Sequence, residues 1–187
     1  MKAISRTTKE TSITCEFQSV APTKIVTPIA FFNHMLEAMF YYANIRLQLT
    51  ATGDTDVDDH HLVEDCGLVL GQTFRAYLND LKGFTRFGYQ YVPMDESLAR
   101  AVVDLSNRPT LVYQATYHNE KVGSLTLQTV KEFFKAFTTE ARITLHLEVL
   151  YGDNDHHQVE ALFKACGLAL KQALSIADVI PSTKGVL

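Results

Sequence analysis

A seven-residue signature occurs twice in this 187-residue chain, at residues 58–64 (DDHHLVE) and at residues 154–160 (NDHHQVE). The two copies contain four of the seven histidines, and the same side chains recur in the same order. Self-similarity of this kind indicates two structural units of one design, with the signature at the same place in each. The chain is therefore expected to fold as a duplicated unit.

Hydrophobic periodicity predicts the order strand, strand, helix, strand, helix in both halves. The predicted strands cover residues 12–18, 24–27, 45–52, 98–106, 110–117 and 142–151. The predicted helices cover residues 30–43, 60–78, 127–141 and 156–174.

The expected fold class is α+β, with two fused repeats that each form a mixed sheet with helices on one face. Residues 24–27 could pair with residues 12–18, and residues 98–106 are expected to form a hairpin with residues 110–117. Turn-forming residues place the seam between the halves at residues 83–93. The repeats then span about 1–85 and 94–180, followed by a tail at 181–187.

Composition excludes several classes of function. A 47% hydrophobic content suffices for a substantial core, and the net charge of −4 offers no basic field for nucleic acid. No apolar run is long enough to span a membrane, and the first residues lack a signal-peptide core, so a cytoplasmic protein is expected. Cys15, Cys66 and Cys166 lack any C-x-x-C spacing, which favours buried structural thiols.

Each signature predicts a metal-binding helical turn. Successive helical residues are about 100° apart, so the two histidines diverge and the glutamate three and four residues later falls between them. Imidazole nitrogen and carboxylate oxygen suit Zn²⁺, Mn²⁺ or Fe²⁺. Diverging histidines predict two ions per site, and Asp59 and Asp155 are expected to act as helix N-caps.

Two further histidines are candidate ligands. His34 lies near the start of an otherwise apolar predicted helix, and His146 lies on the polar face of a predicted strand. Either one alone is more typical of a structural histidine, but beside the double signature both are predicted to be ligands. His118, in a polar turn, is expected to be a solvated loop residue.

Additional short motifs occur in order along the chain. They are residues 8–11 (TKET), 32–36 (FNHML), 86–88 (RFG), 93–96 (PMDE), 108–109 (RP), 132–134 (EFF) and 181–186 (PSTKGV). With the two signatures, they make the chain resemble the imidazoleglycerol-phosphate dehydratase family over almost its whole length.

This resemblance implies the ribosomal protein S5 domain 2-like fold and the dehydration of D-erythro-imidazole glycerol phosphate to imidazole acetol phosphate in histidine biosynthesis. It implies two Mn²⁺ ions per active site, which hold the substrate as an imidazolate. The implied metal ligands are His34, His60, His61, Glu64, His146, His156, His157 and Glu160. It also implies a homo-oligomer, a shell of about 24 copies with active sites at subunit interfaces.

The remaining site residues also follow from the resemblance. Phosphate and substrate contacts are expected from Glu10, His34, Arg86, Arg108, Ser182, Thr183 and Lys184. Candidates for proton transfer or catalysis are Glu10, Glu64, Glu160 and Asp95, with Glu96 and Glu37 as further acid–base or supporting groups. The chain departs from the family at Tyr42, where a histidine is common, and a phenol cannot act as a neutral base near pH 7.

Two other functions use the same ligands. A dinuclear metallohydrolase would release free phosphate from a phosphate ester. A protein in which the histidines only join subunits through metal would have no use for Glu10, Arg86, Arg108 and Lys184.

Overall fold

The computed structural model describes residues 3–177 and residue 181, and within them the chain forms ten strands and four helices. The first half contains β1 (Ile4–Thr7), β2 (Thr11–Gln18), β3 (Lys24–Val26), α1 (Ala30–Ala43), β4 (Arg46–Gly53) and α2 (His60–Asp80). The second contains β5 (Phe87–Met94), β6 (Ser97–Asp104), β7 (Thr110–Gln114), β8 (Lys121–Val122), β9 (Leu125–Thr126), α3 (Leu127–Ala141), β10 (Thr144–Tyr151) and α4 (Asp155–Ala173).

Each half builds the same four-stranded mixed sheet. The strand order is β1-β2-β4-β3 in one sheet and β5-β6-β10-β7 in the other. In both sheets the first three strands in this order pair antiparallel. The last strand, β3 or β7, pairs in parallel with its neighbour, β4 or β10, which follows a helix in the chain. The predicted α+β class with two repeats is confirmed, and β8 and β9 form an additional two-stranded sheet.

Two predicted strand pairings are wrong. β3 pairs in parallel with β4 and not with β2, and β7 pairs in parallel with β10 and not with β6. Both errors have the same physical cause, since each of these strands reaches its partner only through the helix that follows it. Local alternation of apolar residues does not reveal such a crossover partner.

The predicted seam at residues 83–93 overlaps a strand. β5 pairs along its whole length with β6, so residues 87–93 of the predicted seam belong to the second sheet. Gly88 and Pro93 gave this segment the composition of a turn, although Pro93 lies near the strand's end and β5 is an edge strand. We therefore propose that the boundary between the repeats lies at residues 81–86, and not near residue 94.

The helices join the halves into one hydrophobic core. α2 packs on α3, and α1 packs on α4, so each half contributes one helix to each pair. α1 and α3 have the predicted bounds, and both end at a residue in the left-handed conformation, Asn44 and Arg142. No helix in the described part of the chain is both long and apolar enough to cross a membrane.

Close approach of the paired helices depends on two glycines at equivalent places, Gly71 in α2 and Gly167 in α4. A Cβ added at Gly71 would lie 2.6 Å from the carbonyl oxygen of Phe137 in α3. One added at Gly167 would overlap the carbonyl of Met39 in α1. The backbones therefore touch where a side chain would separate them.

Gly71→Ala is expected to destabilise the fold by about 1–3 kcal/mol, although alanine is the better helix former, because the methyl group must push α2 away from α3. The free energy of unfolding measured by urea denaturation checks this. Arg75→Ala, at an exposed position of the same helix, should change it by no more than about 0.5 kcal/mol. A Gly71→Ala variant as stable as the parent would show that the helices have room to separate.

Candidate metal centre

Both signatures lie at helix N-termini, but the side chains that accept from the first-turn N–H groups are one residue earlier than predicted. A carboxylate oxygen of Asp58 accepts a hydrogen bond from the backbone N–H of His60 at 2.8 Å. The Asn154 side chain accepts from the N–H groups of His156 at 2.9 Å and His157 at 3.4 Å. The histidines thus occupy the first turn of each helix.

Asp59 stands at the predicted N-cap position of α2 but its side chain makes no capping hydrogen bond, whereas Asp155 is the first residue of α4 and not its N-cap. Both are buried and accept from backbone N–H groups of the segment before α3, Asp59 from Thr126 at 2.6 Å and Asp155 from His118 and Asn119 at 2.9 and 2.8 Å. The prediction is wrong because these carboxylates satisfy donors outside their own helices. Residues 118–126 are thereby attached to both signature turns.

The first cluster of candidate ligands lies at the start of α2. His60 Nε2 is 3.2 Å from Glu64 Oε2, one helical turn away. His61 points elsewhere, and its Nδ1 is 3.0 Å from Asp54 and 3.9 Å from Glu10. Asp54 was not predicted, because it lies in the loop before the signature.

The second cluster lies at the start of α4 and includes α1. One ligand atom each from His34, His156 and Glu160 lies within 4.8 Å of the others, which makes this the one group of three or more metal-ligating side chains found among residues 3–177 and 181. His34 Nε2 is 3.7 Å and His156 Nε2 is 3.1 Å from Glu160 Oε2. Two imidazole nitrogens and a carboxylate oxygen that converge in this way fit a divalent transition-metal ion.

The second histidine of each pair is held by a carboxylate from outside its helix. His157 Nδ1 is 2.7 Å from Glu96, and its Nε2 is 3.7 Å from Asp95. The hydrogen bond to His157 is the largest cause that lowers the pKa of Glu96 to about 2. In the first cluster, the hydrogen bond to Asp54 raises the pKa of His61.

Glu160 has a partner that sequence reasoning missed. Lys164, one turn further along α4, places its Nζ 2.7 Å from Glu160 Oε1. Burial alone would raise the pKa of the Glu160 carboxyl, but the hydrogen bond and charge of Lys164 outweigh it, and the pKa is lowered. The Lys164 ammonium also lies 5.9 Å from the ring centre of Tyr42. Tyr42 is therefore close to the second cluster. The i,i+4 spacing of Glu160 and Lys164 was the sequence signal that could have predicted their ion pair.

Repeat equivalence identifies another acidic group near the first cluster. The buried positions of α1 recur in α3 with a constant offset, and the two helix C-caps share it. At this offset, Glu132 in α3 takes the place of His34 in α1. The hydrogen bond of Lys135 to Glu132, at 3.1 Å, is the largest cause that raises the pKa of this lysine, and the charge of Glu64 adds to it. Lys135 is therefore influenced by both carboxylates, but within the described residues Glu132 does not converge with His60 and Glu64 as His34 does with His156 and Glu160.

Two of the predicted phosphate contacts meet at Asp104. Arg86 donates to both carboxylate oxygens of Asp104, at 2.7 and 3.2 Å, and Arg108 donates to one of them at 3.3 Å. Arg86 also donates to the carbonyl of Pro181 at 2.8 Å, and its side chain is mostly buried. Arg108 is 61% exposed and is the arginine more available to a ligand.

Other predicted site residues are not brought to either cluster. His146 is exposed on the outer face of the second sheet, between Val102 and Val112 on the neighbouring strands. Within one subunit it joins none of the other predicted ligands among the described residues. Ser182, Thr183 and Lys184 lie outside the described residues.

Comparison with known proteins decides the family. A family model described as "Imidazoleglycerol-phosphate dehydratase" matches residues 27–170. The imidazoleglycerol-phosphate dehydratase of Clostridioides difficile (strain 630) is 45% identical over 187 residues, covering 98% of this chain and 97% of the relative. The chain belongs to the imidazoleglycerol-phosphate dehydratase family. The enzyme of that name from Lacticaseibacillus casei (strain BL23) is 48% identical over 189 residues, and the match covers 98% of this chain and 97% of that enzyme.

Solved structures of imidazoleglycerol-phosphate dehydratases share the fold. The enzyme from Staphylococcus aureus subsp. aureus N315 matches with a TM-score of 0.84 at 39% identity, and the match covers 95% of this chain and 100% of that chain. The enzyme from Pyrococcus furiosus, in complex with (S)-C348, matches with a TM-score of 0.87 at 38% identity, and the match covers 98% of this chain and 100% of that chain.

Family membership confirms the predicted reaction. The protein is a hydro-lyase that dehydrates D-erythro-imidazole glycerol phosphate to imidazole acetol phosphate in histidine biosynthesis. The family also indicates a metal-dependent enzyme, and His34, His156 and Glu160 form a possible metal-binding triad.

Proposed function

We propose that the dehydration takes place at a centre of two Mn²⁺ ions, one held by each histidine cluster. The triad of His34, His156 and Glu160 carries this proposal, because its ligand atoms already converge. His157 would complete the second half of the centre. The ligands proposed for the first half are His60, His61 and Glu64, with Glu132 at the position equivalent to His34.

When bound, the two ions supply positive charge that holds the imidazole ring of the substrate as an anion and lets the ring act as an electron sink. The chain's own residues then handle the proton. The carboxylates of Glu10 and Asp95 are exposed and accept no hydrogen bond from another described residue, although each lies within 4 Å of a cluster histidine. They are therefore the carboxylates free to take the carbon-bound proton or to protonate the leaving hydroxyl.

The phosphate end of the substrate is assigned to the arginine cluster of Arg86, Asp104 and Arg108. Arg108 offers a planar, exposed guanidinium, which suits phosphate oxygens. Ser182, Thr183 and Lys184 follow directly after Pro181, whose carbonyl Arg86 binds. Their hydroxyls and ammonium would add donors to the same site.

The metal and phosphate ends of one subunit are too far apart for one substrate. His157 contacts the turn at one end of the β5–β6 hairpin, whereas Arg86 and Asp104 lie at the other end. A strand of this length separates them by roughly 23 Å. We therefore propose a homo-oligomer in which one copy supplies the phosphate contacts and another supplies metal ligands. The 24-subunit shell and the cytoplasmic location stay predictions.

Metal removal tests the proposed centre. Exhaustive chelation should abolish conversion of imidazole glycerol phosphate, and Mn²⁺ added back should restore it with two ions bound per chain, because the ring cannot act as an anion without them. The measurements are product formation and metal content per chain. Full turnover after chelation would contradict the proposal, and release of free phosphate would indicate the hydrolase alternative.

A further inference from the structure

One carboxylate ties the β5–β6 turn to the start of α4. Glu96 Oε1 accepts from the Ser97 hydroxyl at 3.0 Å and from the backbone N–H groups of Asp153 and Asn154 at 3.2 and 2.9 Å. Its other oxygen contacts His157 Nδ1 at 2.7 Å. Both oxygens are engaged, so this carboxylate has a fixed position against the second cluster.

The equivalent residue of the first repeat is not fixed. Glu10 directly precedes β2 as Glu96 directly precedes β6, and these strands have the same place in their sheets. Yet Glu10 is 56% exposed and its carboxylate stays 3.9 Å from His61 Nδ1. Asp54 occupies the position next to that nitrogen, at 3.0 Å.

Loop length explains the difference. Residues 54–59 connect β4 to α2, whereas only residues 152–154 connect β10 to α4. The short connection brings the start of α4 directly to the neighbouring hairpin turn, where Glu96 binds it. The longer one places Asp54 between the turn and the helix, and the Asp54 N–H donates to the Glu10 carbonyl at 3.1 Å.

We propose that Glu96 is a positioning residue that holds His157 through Nδ1, so that Nε2 faces the cation, while Glu10 at the equivalent position is left free for the substrate. Asp54 performs the orienting task for His61. The two halves of the metal centre then differ in one respect: a hairpin turn orients the histidine in the second half, and a loop does so in the first. This inference rests on the proposed metal centre.

The physical basis is the two-sided chemistry of imidazole. A carboxylate against Nδ1 keeps the proton on that nitrogen, leaves the lone pair on Nε2, and fixes the plane of the ring. Without this partner, the ring would rotate and exchange tautomers, and binding a cation would have to restrict both. Loss of such a partner typically weakens metal affinity by about 10–100-fold.

Titration of the metal-stripped, full-length protein with Mn²⁺, followed by calorimetry, tests the assignment. Glu96→Ala should weaken Mn²⁺ binding about 10–100-fold. Glu96→Gln keeps one acceptor oxygen, which can satisfy either His157 Nδ1–H or the backbone N–H groups but not both, so its Mn²⁺ affinity should fall between those of the parent protein and Glu96→Ala. Glu10→Ala should leave Mn²⁺ affinity within about threefold of the parent, since Glu10 lies beyond hydrogen-bond distance of His61. Glu16→Ala, which removes a carboxylate from the outer face of β2, is the matched control and should have no effect.

Two results would overturn the proposal. Glu96→Ala could bind Mn²⁺ as tightly as the parent, which would exclude orientation of His157 by this carboxylate. Equal loss in Glu10→Ala would show that the two turns are equivalent. A parent protein that does not bind Mn²⁺ would remove the proposed centre itself, so this failure is distinguishable from the others. Thermal unfolding of each variant separates lost affinity from lost fold.

Discussion

His156→Ala is expected to lower kcat/KM by at least about 10³-fold, roughly 4 kcal/mol of transition-state stabilisation. His156 is held in the triad on two sides, since its Nε2 contacts Glu160 and its ring packs against Phe31 with centroids 4.8 Å apart. Removing the imidazole leaves two of the three converging ligand atoms of the triad, and with His157 the site has three protein ligands in place of four. Steady-state kinetics together with metal content per chain is the measurement.

His118→Ala is the matched control for this variant. His118 is exposed, lies outside both clusters, and uses only its backbone N–H to bind Asp155. Alanine keeps that N–H, so activity and metal content should stay at parent levels. A His156→Ala enzyme that keeps both ions and its rate would show that the triad is not the metal site.

The helices were the part of the fold most accessible from sequence. Apolar residues at helical spacing gave α1 and α3 their bounds, because the buried faces of both helices are continuous. The sheets were less accessible. The burial of β5 alternates, but its exposed face carries Tyr89 and Tyr91 and Gly88 lies on its buried face, so apolar and polar residues do not alternate along its sequence. The parallel pairings of β3 and β7 depend on tertiary packing that no local pattern carries.

The candidate site was also predictable from sequence only in part. The signatures indicated which side chains could bind metal, and the structure groups His34 with one of them. The residues that orient the ligands were either not predicted or predicted in another role. Asp54 lies outside the signature, and Glu96, expected to be an acid–base group, is engaged by His157 and backbone N–H groups. Their roles depend on loop length and strand register, which become visible only when the chain is folded.

The largest effect is expected from mixing two inactive variants. No ion pair joins the first cluster to the second within the part of one subunit that the structure describes. If each active site combines the first cluster of one copy with the second cluster of another, His60→Ala and His156→Ala damage opposite sides of the interface. Either variant alone should be almost inactive, because every site then lacks one ligand.

Co-expression of His60→Ala and His156→Ala chains with different affinity tags would give mixed assemblies, which can be purified through both tags. Sites with two intact sides should then form, and random assembly predicts about a quarter of the parent activity. Unmixed variants combined only in the assay provide the control. Turnover of imidazole glycerol phosphate by the co-purified assemblies most directly tests the claim that the metal centre is shared between copies. The predicted result is recovery to about a quarter of the parent rate. Activity no higher than that of either variant alone would contradict a centre shared between copies.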